Sequence, residues 1–371
     1  MKIIMSEAST GKGGQELAIV RQAAGLQKRG HDLLLLVHPG SSIEQLAARW
    51  GLRSRSLQMR RLRFSALLAF RKVLRKERPD IIHVNSSRDS WLGAVAAQLV
   101  YPRIKVIKSR HISAQLNRNL PTRILYRYLF DHVIVTGGQT IYRELVERDG
   151  LDPARLDAFP IGIDLARHTP GLPERDLSAE LKIPSSHRIV GIVSYLRSYK
   201  GHRYLIEAAA KLVPRVKDVT FLIVGEGPEE HTLRMQIAQT RLDDHVRMLG
   251  FRPDLLNVLR SLDIFVIPSV EGDTIPQVLI EAMAVGLPVI STSAGSIPDV
   301  VIERQTGLIV PPRDSDTLAK RIEELLDDAP LRQALGANAH RHITEHYSID
   351  RMLDRLEEVY RRALSRGAAH S

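Results

Sequence analysis

The sequence contains no cysteine, which excludes a disulfide framework, a thiolate zinc site and a cysteine nucleophile together. A reducing compartment fits that absence. Aromatic residues are scarce, at 5%, and no recognised nucleic-acid-binding motif accompanies them, so a nucleic-acid partner is not expected. Long apolar runs are also missing. The longest uncharged stretch, Ala282 to Pro298, is broken by Gly286, Pro288 and Gly295, and the opening residues MKIIMSEAST hold no apolar signal core. Neither a membrane span nor export is expected, and a cytoplasmic location follows, extending at most to the inner face of the cell membrane.

What is present is ordinary for a globular protein: 371 residues, 44% hydrophobic and 26% charged, enough for two domains with cores of their own. The net charge of +11 is unevenly spread. Residues 1 to 165 carry 27 Lys/Arg and 14 Asp/Glu, a surplus of +13, whereas the remainder carries 26 and 28, a deficit of 2. Such a field draws nucleic acid, anionic lipid or phosphorylated substrates and cannot by itself choose among them.

Apolar runs at Leu33 to Val37, Ile81 to Val84, Ile104 to Ile107 and Val133 to Val135 read as buried strands, each followed by a segment of helical length. The same alternation resumes at Ile189 to Val193, Thr220 to Val224, Val246 to Leu249, Ile264 to Ile267 and Pro288 to Ser291. The expectation is α/β: two doubly wound, parallel-sheet, Rossmann-like domains facing across a cleft. The first spans 1–165, a linker rich in turn residues (His168, Thr169, Pro170, Gly171, Pro173) spans 166–186, and the second domain spans 187–348. A last segment, 349–371, repeats apolar residues at Leu353, Leu356 and Tyr360 and is expected as a helix that crosses back to the first domain.

Three segments carry chemistry. Gly11-Lys12-Gly13-Gly14-Gln15-Glu16 lies between the opening strand and a helix. Adjacent glycines let backbone approach a ligand, and a helix start offers N–H groups to an anion; a purely structural turn is the alternative. It is not a Walker A loop, since glycine follows Lys12. Arg197-Ser198-Tyr199-Lys200-Gly201 closes the first strand of the second half, where cations face the ligand crevice of an α/β sheet, or form a solvated loop. The longest is Pro268 to Ile290: a strand end, an acidic loop with Glu271, Gly272 and Asp273, then a helix from about Pro276 with Glu281 in its second turn. Loop N–H groups and a carboxylate suit sugar hydroxyls, and Glu281 suits a ribose diol; a structural carboxylate is the alternative.

Taken in order, Gly13-Gly14-Gln15-Glu16, Leu196 to Gly201, Gly225-Glu226-Gly227-Pro228, Leu249-Gly250, Pro268 to Ile290 and Ala294 to Val300 resemble the GT4 family of retaining glycosyltransferases across nearly the whole chain. The resemblance implies a GT-B fold and transfer of a sugar from a nucleotide diphosphate donor, UDP- or GDP-linked, with no metal and no cofactor. It implies an acceptor that is a glycan or is lipid-linked, in cell-envelope polysaccharide or lipopolysaccharide synthesis. By the family pattern Glu281 binds the nucleotide ribose, and a carboxylate eight positions earlier contacts the donor sugar. That position is Asp273, while Glu271 is the glutamate of the expected Glu-Gly pair; both are candidates. Thr274 and Ile275 join Gly13 and Gly14 as donor contacts. Ser194-Tyr195-Leu196 stands where Gly-Arg-Leu is the family pattern, so Arg197 is the substitute for the missing arginine and Lys200 its partner on the diphosphate. His111, after the strand from Ile104, occupies the place of the family's histidine near the reacting carbon. Asn85, Ser86 and Arg88 would line the acceptor side.

Two other readings stand beside this one: a nucleotide-sugar epimerase on the same fold, which needs no acceptor, and a basic nucleic-acid-binding protein. Asp314-Ser315-Asp316 has metal-binding spacing but reads better as a helix cap, and His340, His342 and His346 read as surface or interhelical residues. Arg53 to Arg78 holds ten Lys/Arg against Glu77 alone. It reads as a helix packed on the sheet, with contact to anionic lipid as the functional alternative.

Overall fold

Every strand of the first half is parallel to its neighbours. They are β1 (Lys2–Glu7), β2 (Asp32–Val37), β3 (Ser54–Ser56), β4 (Ile81–Val84), β5 (Lys105–Arg110), β6 (His132–Val135) and β7 (Leu156–Ala158), ordered β3-β2-β1-β4-β5-β6-β7. The structure is a computed structural model that describes the chain apart from residues 12–13, 60–63, 101–103, 112–114, 118, 169, 172–176, 272–273 and 369–371. Alternation along a pleated strand sends successive side chains to opposite faces. Ile3, Met5, Leu33 and Leu35 therefore enter one core and Ile4, Leu34 and Leu36 the other. The first core is covered by α1 (Gly14–Lys28) and α2 (Ser42–Arg49); the second by α3 (Phe64–Glu77), α4 (Ser87–Val100), the π-turn at Leu125–Leu129 that follows the exposed α5 (Leu120–Ile124), and α6 (Gly138–Glu147).

The second half repeats the plan. After the short α7 (Leu177–Glu180), strands β8 (Arg188–Val193), β9 (Val219–Val224), β10 (Val246–Gly250), β11 (Ile264–Ile267), β12 (Val289–Thr292) and β13 (Leu308–Val310) pair in the order β10-β9-β8-β11-β12-β13. Helices α8 (His202–Leu212), α9 (Glu230–Gln239), α10 (Leu255–Arg260), α11 (Gln277–Ala284), α12 (Ser315–Asp327) and α13 (Ala329–His346) cover its two faces. Asp314 caps α12, its Oδ1 accepting from Thr317 N–H at 2.9 Å, while Asp316 pairs with Lys211 at 2.7 Å.

The chain divides into two compact units, Met1–Gly162 with Ile349–Ser371, and Ile163–Ser348. Three boundaries differ from expectation. The first unit ends at Gly162, and the segment 166–186 belongs to the second unit, with α7 inside it. Strand β5 runs on to Arg110, because Lys108, Ser109 and Arg110 continue the ladder with β6 despite being polar. The last helix, α14 (Ile349–Ala368), buries Met352, Leu353, Leu356, Val359, Tyr360 and Ala363 against the core of the first unit. That one-in-three-or-four spacing makes a single apolar stripe. Among the described residues, no helix is long and apolar enough to cross a membrane.

Each sheet reverses its winding once, between β1 and β4 in the first and between β8 and β11 in the second. Loops leaving adjacent strands at such a point diverge to opposite faces and open a crevice at the carboxyl ends. The segments after β1, β4, β8 and β11 are those that hold Gly14, Asn85, Arg197 and Glu281.

Candidate functional site

In the second unit, the turn after β8 and the loop after β11 are stitched together. Val270 N–H donates to the Tyr199 carbonyl at 2.8 Å, and Gly201, at φ 77°, sits so close to Pro268 that a Cβ would lie 1.9 Å from the Pro268 carbonyl oxygen. Only glycine fits there. Gly225 at φ 137° is equally constrained, since its Cβ would lie 1.9 Å from the Ser194 carbonyl oxygen. The two glycines press the loops after β9 and β11 against the turn that carries the cations.

Arg197 is exposed, with its guanidinium 5.3 Å from the centroid of the Tyr195 ring. Tyr195, the residue standing in the family's arginine position, thus supports the arginine two places on through a cation–π contact. Lys200 is half-buried beside Tyr199, its Nζ 5.4 Å from that ring centroid. Behind them His202 is buried, with Nε2 2.8 Å from Ser194 Oγ; burial and then Lys200 lower its pKa to about 4, so it ties α8 to the end of β8 as a neutral ring.

Among the described residues, no side chain caps the first N–H groups of helix α11, and Pro276 precedes it. Glu281 lies in its second turn, 4% exposed, with His168 Nε2 3.5 Å from Oε1. His168 is itself buried, its Nδ1 2.7 Å from the Asp164 carbonyl. That histidine was not picked out from sequence as a partner of Glu281; the two are far apart along the chain and meet only in the fold. Thr274 is half-buried and Ile275 buried, next to the start of α11. Glu271 keeps 70% of its side-chain surface and faces Arg313 at 3.5 Å. Asp273 and Gly13 lie outside the described residues.

In the first unit, His111 is half-buried just beyond β5. Asn85 Nδ2 donates to the Ser6 carbonyl at 3.0 Å, which leaves Asn85 Oδ1 facing His111 Nε2 at 3.0 Å. An amide oxygen only accepts, so Nε2 carries the proton. On the other side Nδ1 is 3.1 Å from the Thr136 hydroxyl, which itself donates to the Arg110 carbonyl at 3.0 Å. Burial first, then Lys108 and His83, hold the His111 pKa at about 3, so the ring is neutral at pH 7. Nε2 is thus occupied within the protein, and a hydrogen bond donated by this ring to a sugar requires Asn85 to let go.

Sequence reasoning missed the charged cluster beneath these residues. Glu7, Asp89 and Lys108 are all buried. Lys108 Nζ donates to the Asn85 carbonyl at 2.6 Å and the Ser86 carbonyl at 3.3 Å, while Asp89 Oδ2 accepts from Ser6 Oγ at 2.6 Å and Asn85 N–H at 3.0 Å. The cluster fixes the loop after β4 and, through Asn85, the His111 ring. Charged residues at the ends of two otherwise apolar strands were the available signal. Arg88 is exposed, Ser86 half-buried, and His83 is a strand residue bonded to Tyr360 Oη and Ser109 Oγ, both at 2.7 Å. The three histidines of α13 make contacts within the fold: His340 Nδ1 meets the Ala284 carbonyl at 2.6 Å, and the His342 and His346 rings stack at 4.8 Å.

Comparison with known proteins agrees with this layout. Residues 12–167 match the family described as Glycosyltransferase Family 4, and residues 173–342 match Glycosyl transferases group 1. The chain is 30% identical over 299 residues to N-acetyl-alpha-D-glucosaminyl L-malate synthase of Bacillus anthracis, covering 78% of this chain and 76% of that protein. It is 26% identical over 306 residues to the Escherichia coli UDP-Gal:alpha-D-GlcNAc-diphosphoundecaprenol alpha-1,3-galactosyltransferase, covering 80% and 78%. The crystal structure of Anabaena Alr3699/HepE in complex with UDP and glucose superposes with a TM-score of 0.85 at 21% identity, covering 96% of this chain and 98% of that one. Two switch-point sheets, the ordered motifs and a relative matched over three quarters of its length converge on one assignment: the chain belongs to the GT4 family of retaining glycosyltransferases and has the GT-B fold.

Proposed function

We propose that this glycosyltransferase takes a UDP- or GDP-linked sugar and transfers it, with retention, to a lipid-linked or glycan acceptor in cell-envelope polysaccharide synthesis. The observation that carries the reading is in the second unit: an arginine–lysine turn is locked by Gly201 to the loop that leads into α11, whose second turn holds the buried Glu281. A diphosphate leaving group gathers negative charge as the glycosidic bond breaks, and cations fixed beforehand stabilise it without reorganising. Arg197 and Lys200 take that role, with N–H groups at the start of α11; the glycine-rich loop before α1 is read in its own unit as a phosphate contact. Glu281, backed by His168, holds the ribose diol, and Glu271 or Asp273 meets the donor sugar.

The E. coli relative named above uses a diphosphoundecaprenol acceptor and the Anabaena protein binds UDP and glucose; both support this donor and acceptor class. A membrane-bound acceptor also suits α3. It buries Ala66, Phe70, Val73 and Leu74 but leaves Phe64 74% and Leu68 45% exposed, next to exposed Lys72, Arg75 and Lys76. Apolar side chains flanked by cations insert into an anionic interface.

Thermal-shift measurements against UDP-, GDP- and ADP-sugars test the donor, because a selective ligand stabilises the folded state by mass action. One nucleotide series should raise Tm; none doing so would remove the reading. Cations in place of a metal imply that turnover survives EDTA, and loss of turnover restored by Mg²⁺ or Mn²⁺ would move the diphosphate role to an ion.

A further inference from the structure

The glycine-rich loop after β1 is held from below by one carboxylate. Glu7 is fully buried at the end of β1, where its Oε1 accepts from Ser9 N–H at 2.6 Å and its Oε2 accepts from Gln15 Nε2 at 2.9 Å. The two donors flank the loop, one before Gly11 and one just after the start of α1 at Gly14. A second tie lies above: Ser9 Oγ donates to Glu16 Oε1 at 2.6 Å and accepts from Gly11 N–H at 3.0 Å. A Cβ on Gly11 would come within 2.8 Å of that same Glu16 oxygen. The Gly11 carbonyl accepts from the Ser42 hydroxyl.

We propose that Glu7 is a positioning residue: its ionised carboxylate ties the two flanks of the glycine-rich loop together, and the loop's hold on phosphate groups follows that tie. The inference rests on the reading of this loop as a diphosphate contact. An ionised carboxylate accepts more strongly than a protonated one, which has turned one oxygen into a donor. The charged groups around Glu7 come from three elements: Asp89 of α4 opposes its ionisation, Lys108 of β5 favours it, and Glu16 of α1 stands across Ser9. Beyond Lys108 lies Arg110. Burial, then Asp89, raise the Glu7 pKa to about 7 against the pull of Ser9, Gln15 and Lys108. The tie is therefore poised to change near neutral pH.

Hydrogen exchange of a peptide spanning residues 8–16, in the full-length protein and corrected for the intrinsic pH dependence, reads the tie directly. The ionised fraction of a group titrating near pH 7 rises about tenfold between pH 6 and pH 8. Protection of the loop should rise by up to about that factor in the wild type and stay low and flat in Glu7→Gln. Equal protection at both pH values, or equal protection in the two proteins, overturns the proposal. If Glu7→Gln does not fold, the wild-type series and Gln15→Ala, which removes one donor and leaves the carboxylate, decide it. Inorganic pyrophosphate added at pH 8 should slow exchange further in the wild type and less in the variant. A loop that follows pH yet ignores pyrophosphate overturns the diphosphate reading and with it the positioning role, whereas a pyrophosphate effect with no dependence on Glu7 overturns the positioning role alone.

Discussion

Glu281 combines 4% exposure with His168 Nε2 at 3.5 Å from Oε1, so its carboxylate is held in one orientation before any ligand arrives. Charge-assisted hydrogen bonds to a diol should cost about 2 kcal/mol when removed. Glu281→Ala should thus weaken nucleotide binding roughly thirtyfold by calorimetry; unchanged affinity in a folded variant would exclude it from the site. His111→Ala should lower turnover about a hundredfold while nucleotide affinity stays near normal. Asn85→Ala should share that signature, since Asn85 fixes which ring nitrogen carries the proton. For the donor sugar, Asp273→Asn is expected to impair transfer by about tenfold or more and Glu271→Gln to do little. The exposed pairing of Glu271 with Arg313 is in keeping with that ordering, and the reverse result in a paired assay would assign the role to Glu271. Glu7 gives a stability prediction of unusual sign. Its folded pKa, about 7, stands above the ordinary 4.5, so its contribution is full below pH 4.5 and is lost as pH rises through 7. Ionising it costs at most about 3 kcal/mol, and the fall in Tm between pH 5 and pH 8 should be smaller in Glu7→Gln than in the wild type. At this scale the sequence exposed residues whose chemistry is local, such as Arg197, Lys200 and Glu281. It hid His168, Asn85 as a partner of His111, and the Glu7–Asp89–Lys108 cluster, because those contacts join positions that only the sheet brings together.

Among the elements, the cationic turn depends on a glycine that no side chain can replace. Gly201→Ala combines a φ of 77° with a Cβ 1.9 Å from the Pro268 carbonyl oxygen, so backbone must move. Destabilisation of about 2–4 kcal/mol is expected, with loss of nucleotide binding even where the protein stays folded. A variant as stable and as tight-binding as the wild type would mean that the turn and the loop after β11 are not locked. The long apolar strands could be read from periodicity alone, yet β3, β7 and β13 could not. Each has three residues, too few for alternation to register, and β3 is exposed throughout. The tail of β5 was hidden for another reason: Lys108, Ser109 and Arg110 look like loop, and their burial is tolerable because Lys108 donates to the Asn85 and Ser86 carbonyls, Ser109 Oγ pairs with His83 and Arg110 reaches Tyr126 Oη.

For the whole molecule, the surplus of +13 in the first 165 residues predicts vesicle binding that rises with anionic lipid and falls steeply with salt. Phe64→Ser with Leu68→Ser should weaken it without changing nucleotide affinity; equal binding to neutral and anionic vesicles would leave the charge to a soluble acceptor. The division of the chain was visible in outline, since the βα alternation stops and restarts, but the exact crossing at Gly162 was not, because segment 166–186 carries turn residues and still packs into the second unit. The return of α14 has a consequence for how the protein folds. Leu353 reaches α1 so closely that a Cβ on Gly25 would lie 2.4 Å from its Cδ1, and Tyr360 Oη holds His83 at 2.7 Å. Residues 163–348 form one unbroken stretch that can close its core without α14, whereas Ile19, Val20 and Ala23 wait for that helix. The second unit can thus finish folding with no part of α14, and a chain truncated after Ser348 should carry a protease-resistant second unit beside a protease-sensitive first one.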